Sequence, residues 1–503
     1  MMKVFLMHRD RDFDPQQDGP VNEHALVQDL ELDTVIEAMA NGDETIREVA
    51  RRALLASLTE PDAILFRQGV LKDSLRNASI VRRIYQTADS AIEEKKRHFF
   101  GMFTSSPGAV LRRSVGVLEM FVGKLRDLRS IADDHAGAFE SEGFAELFRT
   151  LEHELDDDYF ARVDAHLKAL RFRHGVLVSA ELGPGNRGRH YVLRRPHERS
   201  RNMLERLFTK RPPVYEFTIP ERDDGGFRAL AELRDRGLNL AANALAQSND
   251  HILSFFRALR TELAFYVGCI NLHERITDKG EPTCFPLPLP AHERKHACHG
   301  LYDLALSLST NRRVVGNDLR ADGKDLVIIT GANQGGKTTF LRSIGQAQLM
   351  LQCGMFVPAA SFTASVCRGL FTHFKREEDK TMERGKLDEE LGRMSDLVDH
   401  LGPHAMVLLN ESFAATNERE GSEIARQITR ALRDNGVKVF FVTHLFEFAH
   451  GAFLDPARAG AVFLRAEREP DGTRTFKLVE GQPLETSYGQ DLYRSVFGRR
   501  AAV

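Results

Sequence analysis

Tryptophan is absent from the 503 residues, and cysteine is scarce: five, at 269, 284, 298, 353 and 367, none in a CxxC pair. A disulfide scaffold is therefore excluded, and reduced thiols point to a cytoplasmic protein. No apolar run comes near the ~20 residues that a membrane-spanning helix requires, so no membrane partner is expected. The opening MMKVFLMHRDRD has no apolar stretch of cleavable-leader type. Nor does one sign of charge prevail. Lysine and arginine number 69 against 72 aspartate and glutamate, a net charge of −3, so any affinity for a polyanion has to come from a local patch. Internal repeats and low-complexity tracts are missing too. What is present is an ordinary folded composition, 42% apolar and 28% charged, in a chain too long for one core of at most about 250–300 residues.

Residues 1–170 read as helical throughout. Apolar residues recur at mostly three- and four-residue steps, and Val110, Val115, Leu118, Val122, Leu125 and Leu128 place one apolar stripe along a helix. Phe144, Leu147, Phe148, Leu151 and Leu155 form another, ahead of a break at Asp156–Asp158. Such stripes are bundle core. Between 174 and 220 the period changes: HGVLVSAEL and RHYVLRR flank GPGNRG as two short strands around a turn, and KRPPVYEFTIP looks extended. The helical period returns over Leu238–Leu272, about 50 Å of helix at ~1.5 Å per residue. GEPTCFPLPLP then carries four of the eighteen prolines and reads as a linker. The expected organisation is a helical region over 1–280 with a β insert at about 174–220, a linker over 281–320, and an α/β domain over 321–503. In that last part DLVIIT, AMVLL and VKVFFV alternate with helical patterns, which argues for a mostly parallel sheet. The run AGAVFLRAEREPDGTRTFKLVEG predicts a hairpin turning at Pro470–Gly472 as an antiparallel edge.

GANQGGKT, Gly331–Thr338, satisfies GxxxxGK[ST] between a buried strand, Leu326–Thr330, and a helical pattern. Glycines 331, 335 and 336 let the backbone of Gly331, Ala332, Asn333, Gln334, Gly335 and Gly336 wrap closely around phosphates. The amides of Lys337, Thr338 and Thr339 then open the following helix. Lys337 is expected at the β- and γ-phosphates of ATP, and the Thr338 hydroxyl on Mg²⁺. A second buried strand ends in Asn410 and Glu411, where P-loop ATPases place an acidic metal partner and a carboxylate that activates water. Asn410 supplies an amide oxygen for a metal-bound water but no negative charge, so the Mg²⁺ site of Thr338, Asn410 and Glu411 is expected to be weak. A third strand delivers His444 to the same sheet edge as a γ-phosphate sensor. Glu411 as a strand-end cap and His444 as a structural histidine are the bland alternatives.

These elements resemble the ATPase domain of the MutS family of DNA mismatch-repair proteins, a branch of the ABC-type ATPases. The family's TGPNMGGKST and its later GxFVPA phrase are similar to TGANQGGKTTFLRSIGQAQLMLQCGMFVPA here, its D-E-I-G-R-G-T-S-T to NESFAATNE, and its A-T-H-Y-F-E-L to VTHLFEF. The likeness runs over roughly 321–450 and continues weakly upstream, where EPDAILFRQGVLKDSL resembles the family's lever entry. It implies a helical core, lever and clamp-like part over 1–280 ahead of the ATPase domain. It also implies a homodimer that pairs its ATPase faces, and binding of mismatched, branched or otherwise distorted double-stranded DNA. No segment resembles the N-terminal mismatch-reading domain, so a divergent, short member is expected, nucleoid-associated if bacterial. The family's Ser-Thr-Phe-Met phrase, which reaches the partner's nucleotide, is replaced by ERGKLDEELGRM. Lys386 then stands either as a cation reaching across the dimer or as an exposed lysine on a charged helix; Asn417 is the other in-trans candidate. With Asn410, this implies slow turnover, or a nucleotide-binding DNA clamp with little hydrolysis. An ATPase serving a transporter is disfavoured because no LSGGQ-like signature occurs.

One patch answers the charge argument. From Arg187 to Arg211 nine Lys/Arg face two Glu, with Tyr191 interleaved, and Arg187, Arg189, Arg194 and Arg195 are the proposed duplex contacts. A solvated surface with internal ion pairs is the competing reading. Cys284, His292, His296, Cys298 and His299 fit no closed zinc spacing.

Overall fold

The computed structural model describes residues 3–99, 106–172, 175–194, 218–376, 385–469 and 473–485. Its contacts divide the chain into two compact units, one of residues 1–4, 82–138 and 146–260, the other of 5–81, 139–145 and 261–503. This is not the linear division expected at about 280. Helices from the first eighty residues are built into the same body as the α/β sheet.

Residues 3–22 hold neither helix nor strand, against the expectation of helix from the first residue. Four helices follow: α1 (Glu23–Asp29), α2 (Leu32–Ala40), α3 (Glu44–Leu55) and α4 (Pro61–Arg76). The Asp43 carboxylate caps α3 by accepting from the amides of Thr45 and Ile46, and Pro61 opens α4 where a missing N–H costs nothing. The opening segment departs from helix because the second unit binds its backbone. The Glu262 carboxylate accepts from the amides of Leu6, Met7 and Phe13 at 2.8, 2.6 and 2.5 Å, and Tyr266 donates to the Leu6 carbonyl at 2.6 Å. No local pattern announces partners 249 to 260 residues away.

Next come α5 (Ala78–Phe99), α6 (Pro107–His135), α7 (Glu142–Glu154) and α8 (Asp157–Leu170). Ser106 and Asp156 cap α6 and α8, and the predicted stripes are buried from Val115 to Leu128 and from Phe144 to Leu155. In the first unit β1 (Leu177–Leu182) and β2 (Gly188–Arg194) pair antiparallel, as the turn chemistry predicts. KRPPVYEFTIP falls almost wholly outside the described residues. The long helix α9 runs Asp224–Asp278, 55 residues. It starts fourteen residues before the predicted Leu238, and Phe227, Leu230 and Leu233 in that added stretch are exposed.

The stretch predicted as a linker is ordered sheet. It contains β3 (Leu287–Leu289), β4 (His296–Leu301), α10 (Leu304–Ser309) and β5 (Asn317–Arg320). With β7 (Ser361–Ser365) these strands make a four-stranded sheet ordered β3-β7-β4-β5. Pro288 is tolerated because β3 is an edge strand. Within it His296 is buried between the rings of Phe362 and Phe440, and His299 pairs with Asp318 at 3.0 Å. Among the described residues no three His, Cys, Asp or Glu are grouped to hold a metal.

The remaining elements are β6 (Leu326–Thr330), α11 (Lys337–Gln352), β8 (Leu370–Phe374), α12 (Lys386–Val398), β9 (Met406–Asn410), α13 (Glu418–Asp434), β10 (Lys438–Val442), α14 (Phe446–Leu454), β11 (Ala461–Arg468) and β12 (Arg474–Glu480). Six strands form a sheet ordered β12-β11-β6-β10-β9-β8, parallel except for the β12 edge. Both the parallel core and the antiparallel edge match the sequence expectation, while the expected turn at Pro470–Gly472 lies outside the described residues. Alternate residues Ile328, Val407, Leu409, Val439 and Phe441 share a core with Met394, Ala425, Leu432 and Phe448 from α12, α13 and α14. Helix α11 lies on the sheet so closely that a Cβ at Gly345 would come within 2.8 Å of Leu408. Buried amides fasten it. Gln346 donates to the Leu30 carbonyl at 3.0 Å, and Gln352 to those of Leu58 and Cys367 at 3.0 and 2.9 Å. No helix among the described residues is long and apolar enough to cross a membrane.

Candidate functional site

Strand β6 is buried throughout and delivers the chain into a loop pressed against β11. A Cβ at Gly331 would stand 2.9 Å from the Ala466 nitrogen, and one at Gly335 would stand 2.7 Å from the Ala466 Cβ. Gly331 and Gly336 adopt φ of 108° and 86°, a region where glycine is at ease, and Gln334 joins them at 59°. Gly336 caps α11 without a side chain, so the first-turn amides of Lys337, Thr338 and Thr339 have no intrahelical acceptor. The loop is a concave nest of donors with the positive end of a helix behind it.

Lys337 is 5% exposed and its Nζ donates to the carbonyls of Gly331 and Ala332 at 3.0 and 2.9 Å. Burial lowers its pKa to about 8, helped by Arg474 and opposed by Glu411. The next residue, Thr338, meets Asn410: its hydroxyl donates to Oδ1 at 3.0 Å. The strands finish together, with Phe374 beside Asn410, Asn410 beside Val442, and Val442 beside Ile329. The Glu411 amide donates to the Val442 carbonyl at 2.8 Å, and the Lys375 amide to the Asn410 carbonyl at 3.0 Å. Parallel sheets gather functional side chains at this carboxyl edge.

Glu411 and His444 meet there, Nε2 to Oε1 at 3.1 Å and each about a third exposed. The His444 hydrogen bond holds the Glu411 carboxyl below its usual range, with further help from Lys375 and Lys337. The arrangement therefore keeps a carboxylate ionised at the lip of the loop. Thr338 and Asn410 thus bring a hydroxyl and an amide oxygen one hydrogen bond apart, hard oxygen donors of the kind a magnesium ion takes.

Sequence reasoning missed several neighbours. A cavity of about 360 Å³ opens beside Gln334, Gly336 and Thr339 and is walled by Val314, Val315 and Phe476. Asn317 builds its wall by donating to the Phe476 carbonyl at 3.1 Å and accepting from the Leu478 amide at 2.8 Å. Phe476 has φ 58° and is 48% exposed. Its alternation in a short edge strand gave no sign of this. His373, Ser412 and Glu390, buried behind Glu411, also lack any local signal.

Other predicted residues are not brought to the loop. Asn417 spends its carboxamide on capping α13, accepting from the Glu420 amide at 3.0 Å. Lys386 is exposed in the first turn of α12. Arg187, Arg189 and Arg194 are exposed in the first unit, at the start of and along β2; Arg194 donates to Ser179 at 2.9 Å. Arg195 lies outside the described residues.

Two family models match the chain: the MutS2 N-terminal domain over residues 59–279 and MutS domain V over residues 327–496. Similar proteins include the DNA mismatch repair protein MutS of Thermotoga neapolitana, 33% identical over 181 residues, or 36% of this chain and 22% of that protein. Endonuclease MutS2 of Geobacillus kaustophilus is 30% identical over 179 residues, covering 35% of this chain and 22% of the relative. MutS protein homolog 4 of Homo sapiens is 25% identical over 197 residues, covering 38% and 21%. The matches thus span about a fifth of the length of these relatives.

Proposed function

This chain belongs to the MutS family, and we propose on that premise that it is an ATP-dependent DNA-binding protein with an ABC-type ATPase domain. A relative named for DNA mismatch repair, beside others named Endonuclease MutS2 and MutS protein homolog 4, supports a role in DNA repair or recombination. The observation that carries the ATPase reading is the junction of the loop with the strand ends: Thr338 on Asn410 and Glu411 on His444, at 3.0 and 3.1 Å. The amides of Gly331–Thr339 would take the phosphate oxygens, and Lys337 would leave its two carbonyls for the β- and γ-phosphates. The ~360 Å³ cavity bounded by Phe476 suits the nucleoside, combining apolar walls with a few polar side chains at the ordinary size of such sites. Thr338 and Asn410 would hold Mg²⁺, whose charge would offset that of the phosphates. Glu411, kept ionised by His444, orients the attacking water and accepts its proton.

A homodimer that pairs ATPase faces, with Lys386 toward the partner's nucleotide, and duplex binding by Arg187, Arg189, Arg194 and Arg195 complete the proposal. A second reading is favoured by Asn410 alone: a DNA clamp that binds ATP and hardly hydrolyses it. ATP binding and turnover in the wild type, Lys337→Ala, Glu411→Ala and Asn410→Asp separate these. The proposal expects Lys337→Ala to lose ATP affinity by at least tenfold and Glu411→Ala to keep affinity while losing turnover. Asn410→Asp should tighten Mg²⁺ about tenfold, the order of one unit charge near contact in a partly exposed site. Undiminished ATP affinity in Lys337→Ala would sink the site assignment. Negligible wild-type turnover with intact binding would favour the clamp.

A further inference from the structure

Glu411 stands on an unusual turn. It has φ 54° and Phe413, two residues on, has φ 66°, so two non-glycine residues are left-handed around Ser412. Such residues persist only where their surroundings hold them. Phe413 is fully buried, its ring stacked on His373 at 5.8 Å and edge-on to Phe441 at 6.4 Å.

The restraint is polar and buried. The Glu390 carboxylate, on a residue 6% exposed, accepts from the Phe413 amide at 2.7 Å. His373 places Nε2 3.1 Å from the Glu390 carbonyl, which only an N–H can satisfy, so Nδ1 of the neutral ring is an acceptor. The Ser412 hydroxyl lies 2.8 Å from that Nδ1 and 2.8 Å from the His373 carbonyl. Its single proton is shared between the two. Arg393, nearly a turn beyond Glu390, donates to the Phe374 carbonyl at 3.2 Å. Helix α12 is therefore fastened both to the end of β8 and to the turn that carries Glu411.

We propose that Glu390 is a positioning residue: through the Phe413 amide it holds the left-handed turn that aims the Glu411 carboxylate, making α12 the element that sets the carboxylate's place. Lys386 lies four residues before Glu390, one turn away on the same helix face. Burial raises the Glu390 carboxyl above its usual range, while the Phe413 amide and Arg393 oppose this. The inference rests on the ATPase reading and assigns Glu390 no contact with nucleotide.

The test compares ATP turnover, and separately the Kd of a non-hydrolysable ATP analogue, in the full-length wild type, Glu390→Ala, Glu390→Gln and Glu390→Asp. Glu390→Ala leaves the amide without an acceptor and should lower kcat at least tenfold with KM and analogue Kd within twofold of wild type. Glu390→Gln keeps an acceptor oxygen and should recover at least a third of kcat. Glu390→Asp keeps the charge but withdraws the oxygen, and should resemble Glu390→Ala; it decides the matter if the alanine variant does not fold. Wild-type kcat in Glu390→Asp, or a kcat loss matched by an equal loss of analogue affinity, would overturn the proposal. A wild-type protein that binds no analogue would instead overturn the ATPase reading itself.

Discussion

Lys337 holds two carbonyl oxygens where phosphate oxygens are expected, and the exchange has a proton attached to it. Burial brings its pKa to about 8, so above that pH the free protein increasingly carries a neutral lysine, which cannot attract phosphate. A bound triphosphate favours the charged form and would raise the pKa, so binding takes up a proton in the alkaline range. ATP affinity is expected to be flat from pH 6.5 to 7.5 and to fall toward tenfold per pH unit above about 8. Titration calorimetry in buffers of different ionisation enthalpy checks it, since proton uptake near pH 8.5 appears as a buffer-dependent heat. A pH-independent Kd from 7 to 9 would contradict the assignment of Lys337. At this scale the sequence was most informative where the candidate site is written in short local phrases: Lys337 and Thr338 in the loop and helix after β6, and Asn410, Glu411 and His444 at strand ends. His373, Ser412 and Glu390 were invisible because their bonds join residues 17 to 39 positions apart.

Among elements, the opening segment shows how a distant side chain can set backbone structure. Glu262 on α9 accepts three amides from residues 6–13, and its carboxyl is raised to about 7 because burial outweighs those hydrogen bonds. A folded-state pKa above the unfolded value of 4.5 means the folded protein holds the extra proton between those two values. Stability contributed by this group is thus fully present below about pH 4.5 and is lost as pH rises toward 7, opposite to an ion-paired carboxylate. Glu262→Ala strands three buried amides at about 1–3 kcal/mol each, so urea unfolding should show a loss of at least ~3 kcal/mol at pH 6. The stability difference between wild type and variant should shrink as pH is raised from 5 to 8. A loss below ~1 kcal/mol would show that water satisfies those amides and that Glu262 does not anchor the segment. The same lesson covers the mistaken linker. Strand β3 has three residues and a central proline, too short for alternation to register, whereas the buried runs of β6, β9 and β10 could be read directly.

Across the whole molecule, α9 is the continuous element shared by both units: Arg260 belongs to the first and Thr261 to the second. At ~1.5 Å per residue its 55 residues extend about 80 Å, without a proline to interrupt the hydrogen-bond ladder. Any influence of nucleotide on DNA binding has this helix as a covalent route, which makes its continuity testable. Ser248 is exposed on α9 and donates to the Ala244 carbonyl at 2.9 Å. Ser248→Pro removes a helix hydrogen bond and clashes with the preceding turn, at about 3 kcal/mol. ATP binding in the second unit should be unaffected, and so should the salt dependence of the duplex binding proposed for Arg187, Arg189 and Arg194. Replacing those three arginines by alanine should instead weaken binding on homoduplex and branched DNA alike, with the salt slope reduced by up to about three. The proline variant should lose only the difference between DNA affinities measured with ADP and with ATP. Fluorescence anisotropy on both duplexes, at several salt concentrations and with each nucleotide, reads all of these together. If Ser248→Pro folds and its ADP-to-ATP difference matches wild type, the continuity of α9 carries no signal, and coupling has to run through other contacts.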